Sequence, residues 1–307
     1  MTRGAVAVIL NPAAGRGRAA RLGPALRAAF GRFGVPDVRE TTAAAQEYDL
    51  ARRAIEDGVA TLVAVGGDGT WSNVANAILA SGADCRLALL AAGTGNDFAW
   101  SAGVPSGDVA RTALLACDGP DDRVDVGKLG DRYFLNAAGF GFDVAVLKTA
   151  QRPRRWHGKA VYVWSAIREA IRYRGFRADV DGVFDAVAPR HHLMLIAANG
   201  RRFGGAFRIA PTASLRDGLL DIVRVADVSP HRRPGLLASA LRGAHLGRKE
   251  VCHARLASVS LRFDDPPACE MDGELSQLRG TTVEICCQPG ALRIVGARPV
   301  DGTPSGE

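Results

Sequence analysis

The segment LVAVGGDGTWSNVANAI, from Leu62 to Ile78, changes character in its middle. Four apolar residues run into Gly66-Gly67-Asp68-Gly69-Thr70, and apolar residues then recur at helical spacing. A strand that becomes a helix through glycines presents backbone N–H groups at the positive end of the helix, where an anion is well received. The carboxylate of Asp68 in that turn needs a separate reason.

Working outward, AVAVIL (5–10) is a continuous apolar run followed by a helical pattern from about Arg18 to Phe33. DVRET (37–41) reads as a second strand and Asp49 to Asp57 as a second helix. TLVAV (61–65), a helix from Thr70 to Leu79, and RLALLA (86–91) complete the alternation. Near-continuous apolar strands separated by helices predict a doubly wound parallel sheet covered on both faces. After Asp125 the pattern shifts to short strands with Gly, Pro and Asp between them, such as RYFLNAAGF, HHLMLIAANG and TVEICCQ. That predicts an antiparallel, sandwich-like domain, interrupted by helical segments at about 157–174 and 231–247. The class is α/β plus β, with an α/β domain over 1–127 and a β-rich domain over 128–290. The last residues, DGTPSGE, read as a frayed tail.

With 307 residues the chain can bury a substantial core. Its net charge is +7, and only four of its 39 basic residues are lysine, which genome composition explains as well as a surface facing phosphates or anionic lipid. The six cysteines show no metal-ligand spacing and read as reduced core thiols, so a cytoplasmic location is expected. The apolar run at 5–10 is too short for a signal peptide, and no run is long enough to span a bilayer, so membrane contact is expected to be peripheral, at the inner face. No nucleic-acid motif accompanies the charge, and nucleic acid is not expected as a partner. The histidines show no ligand spacing. Oligomeric state is left open, a homodimer among the options.

Three candidate strands end in unusual turns: NPAAGRGRA (11–19), GGDGT (66–70) and GTGND (93–97). Open parallel sheets bind ligands beyond the carboxyl ends of their strands. One such turn is ordinary chain reversal; three on one sheet edge point to a phosphate-bearing ligand. The first also fits G-x-G-x-x-A through Gly15, Gly17 and Ala20, with Glu40 as a ribose acid, which defines a rival NAD-binding oxidoreductase. However, Asn11-Pro12 sets the first glycine beyond the strand end, and the fingerprint leaves the other two turns unexplained. A lysine-bearing phosphate loop is absent, so phosphates would rely on glycine amides, Arg16 or Arg18, and a metal.

Asp68 and Asp97 sit in the second and third turns, Asp125 ends the α/β half, and Asp272 and Glu274 flank a glycine in CEMDGEL. Singly, each is most simply a cap, a turn residue or a solvated charge. Together they suit phosphoryl transfer: Mg²⁺ bridges carboxylates to phosphates, and a separate carboxylate orients or deprotonates the accepting hydroxyl.

NPAAGRG, GGDGTWSNVANAI, GTGNDFA, NGRRFGGAFRIAPTASLRDGLLDIVRV (199–225) and MDGEL (271–275), in this order, resemble the diacylglycerol kinase catalytic-domain family of lipid kinases, which includes sphingosine and ceramide kinases. The resemblance implies an NAD-kinase-like architecture using ATP and Mg²⁺, with residues from about 291 to 307 returning to the first domain. It implies that Asn11, Pro12, Ala13, Ala14, Gly15, Thr41, Gly66, Gly67, Asp68, Gly69, Thr70, Trp71, Thr94, Gly95 and Asn96 line the nucleotide. Asp68, Asp97 and Asp125 would form a water-mediated Mg²⁺ network. Asp272 or Glu274 would be the general base, with Glu274 slightly preferred. A structural Mg²⁺ would sit on Asp217 and the carbonyls of Ser214 and Leu219, although Arg216 stands where family members often carry an acid. The implied reaction is transfer of a γ-phosphoryl group to a lipid hydroxyl at a membrane surface, most simply that of diacylglycerol. A sphingoid base, another glycerolipid or a soluble polyol are the alternative acceptors, and a nucleotide-binding regulator without turnover is the non-enzymatic alternative.

RPRRWHGKAVYVWSAIREAIRYRGFR (152–177) joins arginines to aromatic residues, with Ala160, Trp164, Ile167 and Ile171 at helical spacing. The plain reading packs that stripe on the β-rich domain. The functional one lays the helix on a membrane. RRPGLLASALRGAHLGRK (232–249) offers the same choice.

Overall fold

The computed structural model describes residues 4–35, 37–104, 107–151, 159–181 and 190–298, with 159, 160, 162 and 163 described by backbone alone. The chain divides into two compact units. One takes the chain up to Val126, Leu215–Asp217 and the chain from Gln288; the other takes Gly127–Ser214 and Gly218–Cys287.

In chain order the elements begin with β1 (Val6–Leu10), a kinked turn α1 (Ala14–Gly17), α2 (Gly23–Gly31), β2 (Val38–Glu40) and α3 (Glu47–Glu56). They continue with β3 (Thr61–Gly66), α4 (Asp68–Ser81), β4 (Arg86–Ala91), α5 (Asp97–Ser101), α6 (Val109–Asp118) and β5 (Asp121–Leu129). Next come β6 (Arg132–Phe134), β7 (Ala137–Gly141), α7 (Phe142–Ala150), α8 (Lys159–Arg172), β8 (Phe176–Val180), β9 (His191–Ala198) and β10 (Leu220–Ala226). The chain ends with α9 (Arg233–Leu241), β11 (Val251–Leu256), β12 (Ser258–Phe263), β13 (Ala268–Met271), β14 (Glu274–Gln277) and β15 (Thr282–Val295).

In the first unit, β2, β1, β3 and β4 form a parallel sheet in that order. The end of β15 adds a further parallel strand, setting Arg293 and Ile294 opposite Arg86 and Leu87. Val8, Leu10, Val63, Val65, Ala88 and Leu90 pack one face against Leu26 and Phe30 of α2 and Ala113 and Ala116 of α6. The alternate residues Ala7, Ile9, Leu62, Ala64, Leu87 and Leu89 are equally buried on the other face. There Trp71 of α4 is fully buried and donates its indole N–H to Ala64 O at 3.2 Å. Burial on both faces is why these strands read as unbroken apolar runs. Asp121 accepts from Arg293 at 2.8 Å and pairs with buried Arg86 at 3.6 Å, so two arginines share one carboxylate at the β4–β15 seam.

The second unit is antiparallel, with β14, β13, β7 and β9 in register and β9 also pairing with β10 and β8. Period-two alternation decides its two cores. Ala138, Phe140, Leu195 and Ala197 join Leu261, Phe263 and Ile285 between strands. Ala137, Ile196 and Ala198 face Phe142 and Val146 of α7, Ala170 of α8 and Leu236 of α9. The helices α6 and α7 lie where the sequence showed no helical segment. In GFDVAVLKTA, Gly141 at φ 105° turns the chain at the end of β7, and α7 begins at Phe142.

Candidate functional site

In the first unit the three glycine turns touch one another. A methyl group on Gly93 would lie 2.5 Å from Gly67 Cα, and one on Gly15 would lie 2.0 Å from Ala92 O, at a φ of +59°. Arg18 donates from Nη2 to Ala92 O at 3.1 Å and also to Gly93 O. These glycines are therefore required first by backbone packing between turns. Asp68 opens α4 and clamps the third turn: Oδ2 accepts from the Asn96 N–H at 2.8 Å and Oδ1 from the Phe98 N–H at 3.1 Å. Burial pushes its carboxyl above the ordinary range, while the N–H groups of Phe98, Asp97 and Asn96 pull it back down.

Asp68 and Asp97 come together over Gly95. A methyl there would lie 3.0 Å from Asp68 Oδ2 and 3.8 Å from Asp97 Oδ2. Two carboxylates at one exposed glycine suit Mg²⁺, which takes one or two protein carboxylates and fills its remaining positions with water and phosphate. Asp125 is buried in β5 and accepts from the Gly290 N–H at 2.7 Å. Among the described residues no cluster of three or more His, Cys, Asp or Glu could hold a metal directly.

Asn11 donates from Nδ2 to Glu47 Oε1 at 2.7 Å and to Thr70 Oγ1 at 3.1 Å, and its Oδ1 accepts from the Ala13 N–H at 3.0 Å. Ala14 N–H closes the same turn onto Asn11 O at 3.1 Å. Thr41, just beyond β2, is buried and donates its N–H to Leu10 O at 2.9 Å. Thr94 and Gly95 are exposed at the tip of the third turn. Glu47 was not foreseen: it is buried and organises Asn11 and Thr70 from the start of α3. The assignment of Trp71 to the nucleotide lining is corrected. Its neighbour Thr70 faces Asn11, but one further residue of helix rotates the indole into the core.

In the second unit, Asp272 and Gly273 join β13 to β14 with φ of 48° and 89°. The Asp272 carboxylate accepts three backbone N–H groups, from Leu135 at 2.8 Å, Asn136 at 2.8 Å and Ala137 at 3.2 Å. Asn199, just past β9, supports the same loop by donating from Nδ2 to Leu135 O at 2.7 Å. Asp272 is an anchor. Glu274 instead stands half exposed, with Oε2 accepting from Arg132 Nη2 at 3.1 Å. Behind the turn lie two acids that the sequence reading passed over, Asp143 and Glu270, both buried. A methyl on Gly139 between them would lie 1.8 Å from Asp143 Oδ2 and 3.3 Å from Glu270 Oε2. Burial pushes the Asp143 carboxyl up to about 7, against the N–H groups of Val144 and of Asp143 itself. The signal was available: each is an acid inside an otherwise apolar run, FDVAV and ACEM.

Ser214 and Leu219 belong to the second unit and Asp217 to the first. Arg216 donates from Nε to Asp122 Oδ2 at 2.6 Å. In α8, Val161, Ser165 and Ala170 are buried, while Ile167 and Ile171 of the apolar stripe are 58% and 67% exposed. Arg168 sits 5.5 Å from the Trp164 ring centroid. The arginines at 152, 154 and 155 and Trp156 lie outside the described residues. Among the described residues, no helix is long and apolar enough to cross a membrane.

A doubly wound unit with three touching strand-end turns, followed by an antiparallel unit with an acidic hairpin, defines a class that the comparisons identify. The profile of the diacylglycerol kinase catalytic domain matches residues 5–129, and that of the YegS C-terminal NAD kinase beta sandwich-like domain matches 136–296. A Pseudomonas fluorescens protein named "Probable lipid kinase YegS-like" is 34% identical over 84% of this chain and 84% of its own length. A Mycobacterium tuberculosis protein named "Diacylglycerol kinase" is 29% identical over 96% of both chains. The crystal structure of a diacylglycerol kinase from Bacillus anthracis superposes with a TM-score of 0.69 at 21% identity, covering 97% of this chain and 99% of that one. The chain belongs to the diacylglycerol kinase catalytic-domain family, and it is a lipid kinase.

Proposed function

We propose that this lipid kinase uses ATP and Mg²⁺ and that its acceptor is the free hydroxyl of diacylglycerol. The observation that carries the donor side is the meeting of Asp68 and Asp97 over Gly95, beside the positive end of α4. Bound Mg²⁺ would neutralise charge on the phosphate oxygens. Asp68 keeps the third turn in place while presenting its remaining lone pairs, and the α4 N-terminus receives negative charge without a loop lysine. Glu274 takes the role of general base, because it is half exposed and pairs with Arg132, whereas the Asp272 carboxylate holds three backbone N–H groups in place. A structural cation on Asp217, Ser214 and Leu219 would take no part in transfer. The Mycobacterium relative's name supports diacylglycerol; the YegS-like names leave the acceptor general.

On this reading the protein works in the cytoplasm, at the inner membrane face. All six cysteines are free thiols, which suits a reducing compartment. The exposed Ile167 and Ile171 beside Arg168 and Arg172 suit peripheral contact with anionic lipid.

The test is incubation with labelled ATP, Mg²⁺ and a mixed lipid extract, with identification of the labelled product. Phosphatidic acid is expected. A labelled sphingoid base or soluble polyol would replace the acceptor, and no labelled lipid would remove the reading. Glu274→Gln should bind ATP as the parent does yet transfer at under about one-hundredth of its rate. Undiminished transfer in that variant would exclude Glu274 as the base.

A further inference from the structure

Asp143 and Glu270 have no place in the mechanism above, yet both are buried immediately behind the hairpin that carries Glu274. Glu270 Oε1 accepts the Gly273 N–H, so this side chain holds the middle of the turn from below. Neither Asp143 oxygen makes a geometrically complete hydrogen bond among the described residues, although the N–H groups of Val144 and Asp143 at the start of α7 act on the carboxyl. Gly139 leaves the space into which both carboxyls reach, and a methyl there would overlap Asp143 outright. Asp143 lies near enough to Cys269 on β13 and Tyr173 just past α8 to raise both, and neither is a cation. Other ionisable groups on the packed elements include Arg168, which reaches Glu169 at 3.9 Å, and Arg172, both on α8. Glu274 pairs with Arg132, Glu169 of α8 accepts from Thr149, His192 of β9 meets Ala178 O, and His191 meets Asp227. Lys148 lies on α7 itself.

Two buried carboxyls that both reach the space over Gly139 cannot both ionise cheaply; one proton between them satisfies both. We propose that Asp143 and Glu270 share one proton, and that this proton keeps Glu270 on the Gly273 N–H and so positions the Asp272–Glu274 turn for transfer. They are a positioning pair and touch no reacting atom. The role of the turn rests on the reading of Glu274 as general base, whereas the sharing itself does not.

The sign follows from a carboxyl raised by burial. The shared proton is fully in place at low pH and is lost as pH rises through the value of Asp143, which burial raises to about 7. The pair then repels, and Glu270 draws back from the Gly273 N–H that it accepts. The experiment measures kcat of the parent, Asp143→Asn and Glu270→Gln between roughly pH 6 and pH 9, with hydrogen exchange of the Gly273 amide followed over the same range. The parent should lose about tenfold in kcat across the alkaline limb, and its Gly273 amide should lose protection beyond the intrinsic rise in exchange. In either amide variant a fixed N–H replaces the shared proton, so both losses should shrink to about twofold or less. An alkaline limb unchanged in both variants overturns the proposal. So does Asp143→Asn raising KM for the lipid with the pH profile intact, which would assign Asp143 to acceptor binding. Exchange needs no turnover. pH-dependent protection in a protein that transfers nothing would keep the pair and remove the kinase reading, and transfer with pH-independent protection would remove the pair alone.

Discussion

Asp68→Ala is the perturbation whose consequences reach furthest. The Asp68 carboxylate accepts from the N–H groups of Asn96 and Phe98 at 2.8 and 3.1 Å, and it closes against Gly95. Alanine leaves two backbone donors without their acceptor, and each such group costs about 1–3 kcal/mol where water cannot replace the bond. The turn is exposed at Thr94 and Gly95, so water repairs part of the damage, and a total near 2–4 kcal/mol is expected. For a unit of this size that lowers the melting midpoint by roughly 5–15 °C. Asp68→Asn keeps one carbonyl oxygen and should cost about half as much. Calorimetry of both variants, beside labelled-ATP transfer, separates the two jobs assigned to this residue. The asparagine variant should remain mostly folded and transfer almost nothing, since it keeps the clamp but loses the charge. A melting midpoint within about 1 °C of the parent in Asp68→Ala would refute the clamp. Full transfer in Asp68→Asn would refute the metal role.

Two further expectations follow from contacts already described. Gly93→Ala would drive a methyl to within 2.5 Å of Gly67 Cα and 2.8 Å of Asn96 Oδ1, an overpacking expected to cost about 1–3 kcal/mol in thermal unfolding. Gly31→Ala, with nothing within 4 Å, is its control, and equal melting of the two would refute tight packing between the turns. Replacing Ile167 and Ile171 with glutamate should weaken sedimentation with anionic vesicles by about 30-fold per residue if each buries about 2 kcal/mol of apolar surface in lipid; unchanged sedimentation would return that helix face to plain solvent exposure.

Much of the fold was legible because its strongest feature is one-dimensional. A parallel strand buried on both faces is an unbroken apolar run, and AVAVIL, TLVAV and RLALLA advertise themselves without knowledge of their neighbours. α7 was hidden for the opposite reason. Its β-branched residues suit a strand as well as a helix, and only the turn at Gly141 decides between them. The stripe Trp164, Ile167 and Ile171 left two readings open because periodicity reports that a helix has an apolar side, not which side meets the protein. Here small residues, Ser165 and Ala170, allow the close approach and take the inner face. Trp71 shows the limit of a motif read as a string. Adjacent letters in GGDGTW share a name, but on a helix they point about 100° apart.

The acids mark where sequence reading stops. The residue type was legible in each case, but the role depends on partners that are close in space and remote in sequence. Asp272 owes its three donors to residues 135–137, and nothing near position 272 hints at them. The consequence for assigning the base is specific. Asp272 adopts a positive φ that aspartate tolerates, and its carboxylate ties the hairpin to the loop before β7. Glu274, two residues on, inherits its position from that tie. Substituting either acid should abolish transfer, so loss of activity alone cannot name the base. Asp272→Asn should also lower the melting midpoint, because an amide cannot accept three N–H groups with its single oxygen, whereas Glu274→Gln weakens a half-exposed pair with Arg132 and should melt within a few degrees of the parent. A variant that stays folded, binds ATP and transfers nothing identifies the base; if that variant proves to be Asp272→Asn, the division of labour argued here is reversed.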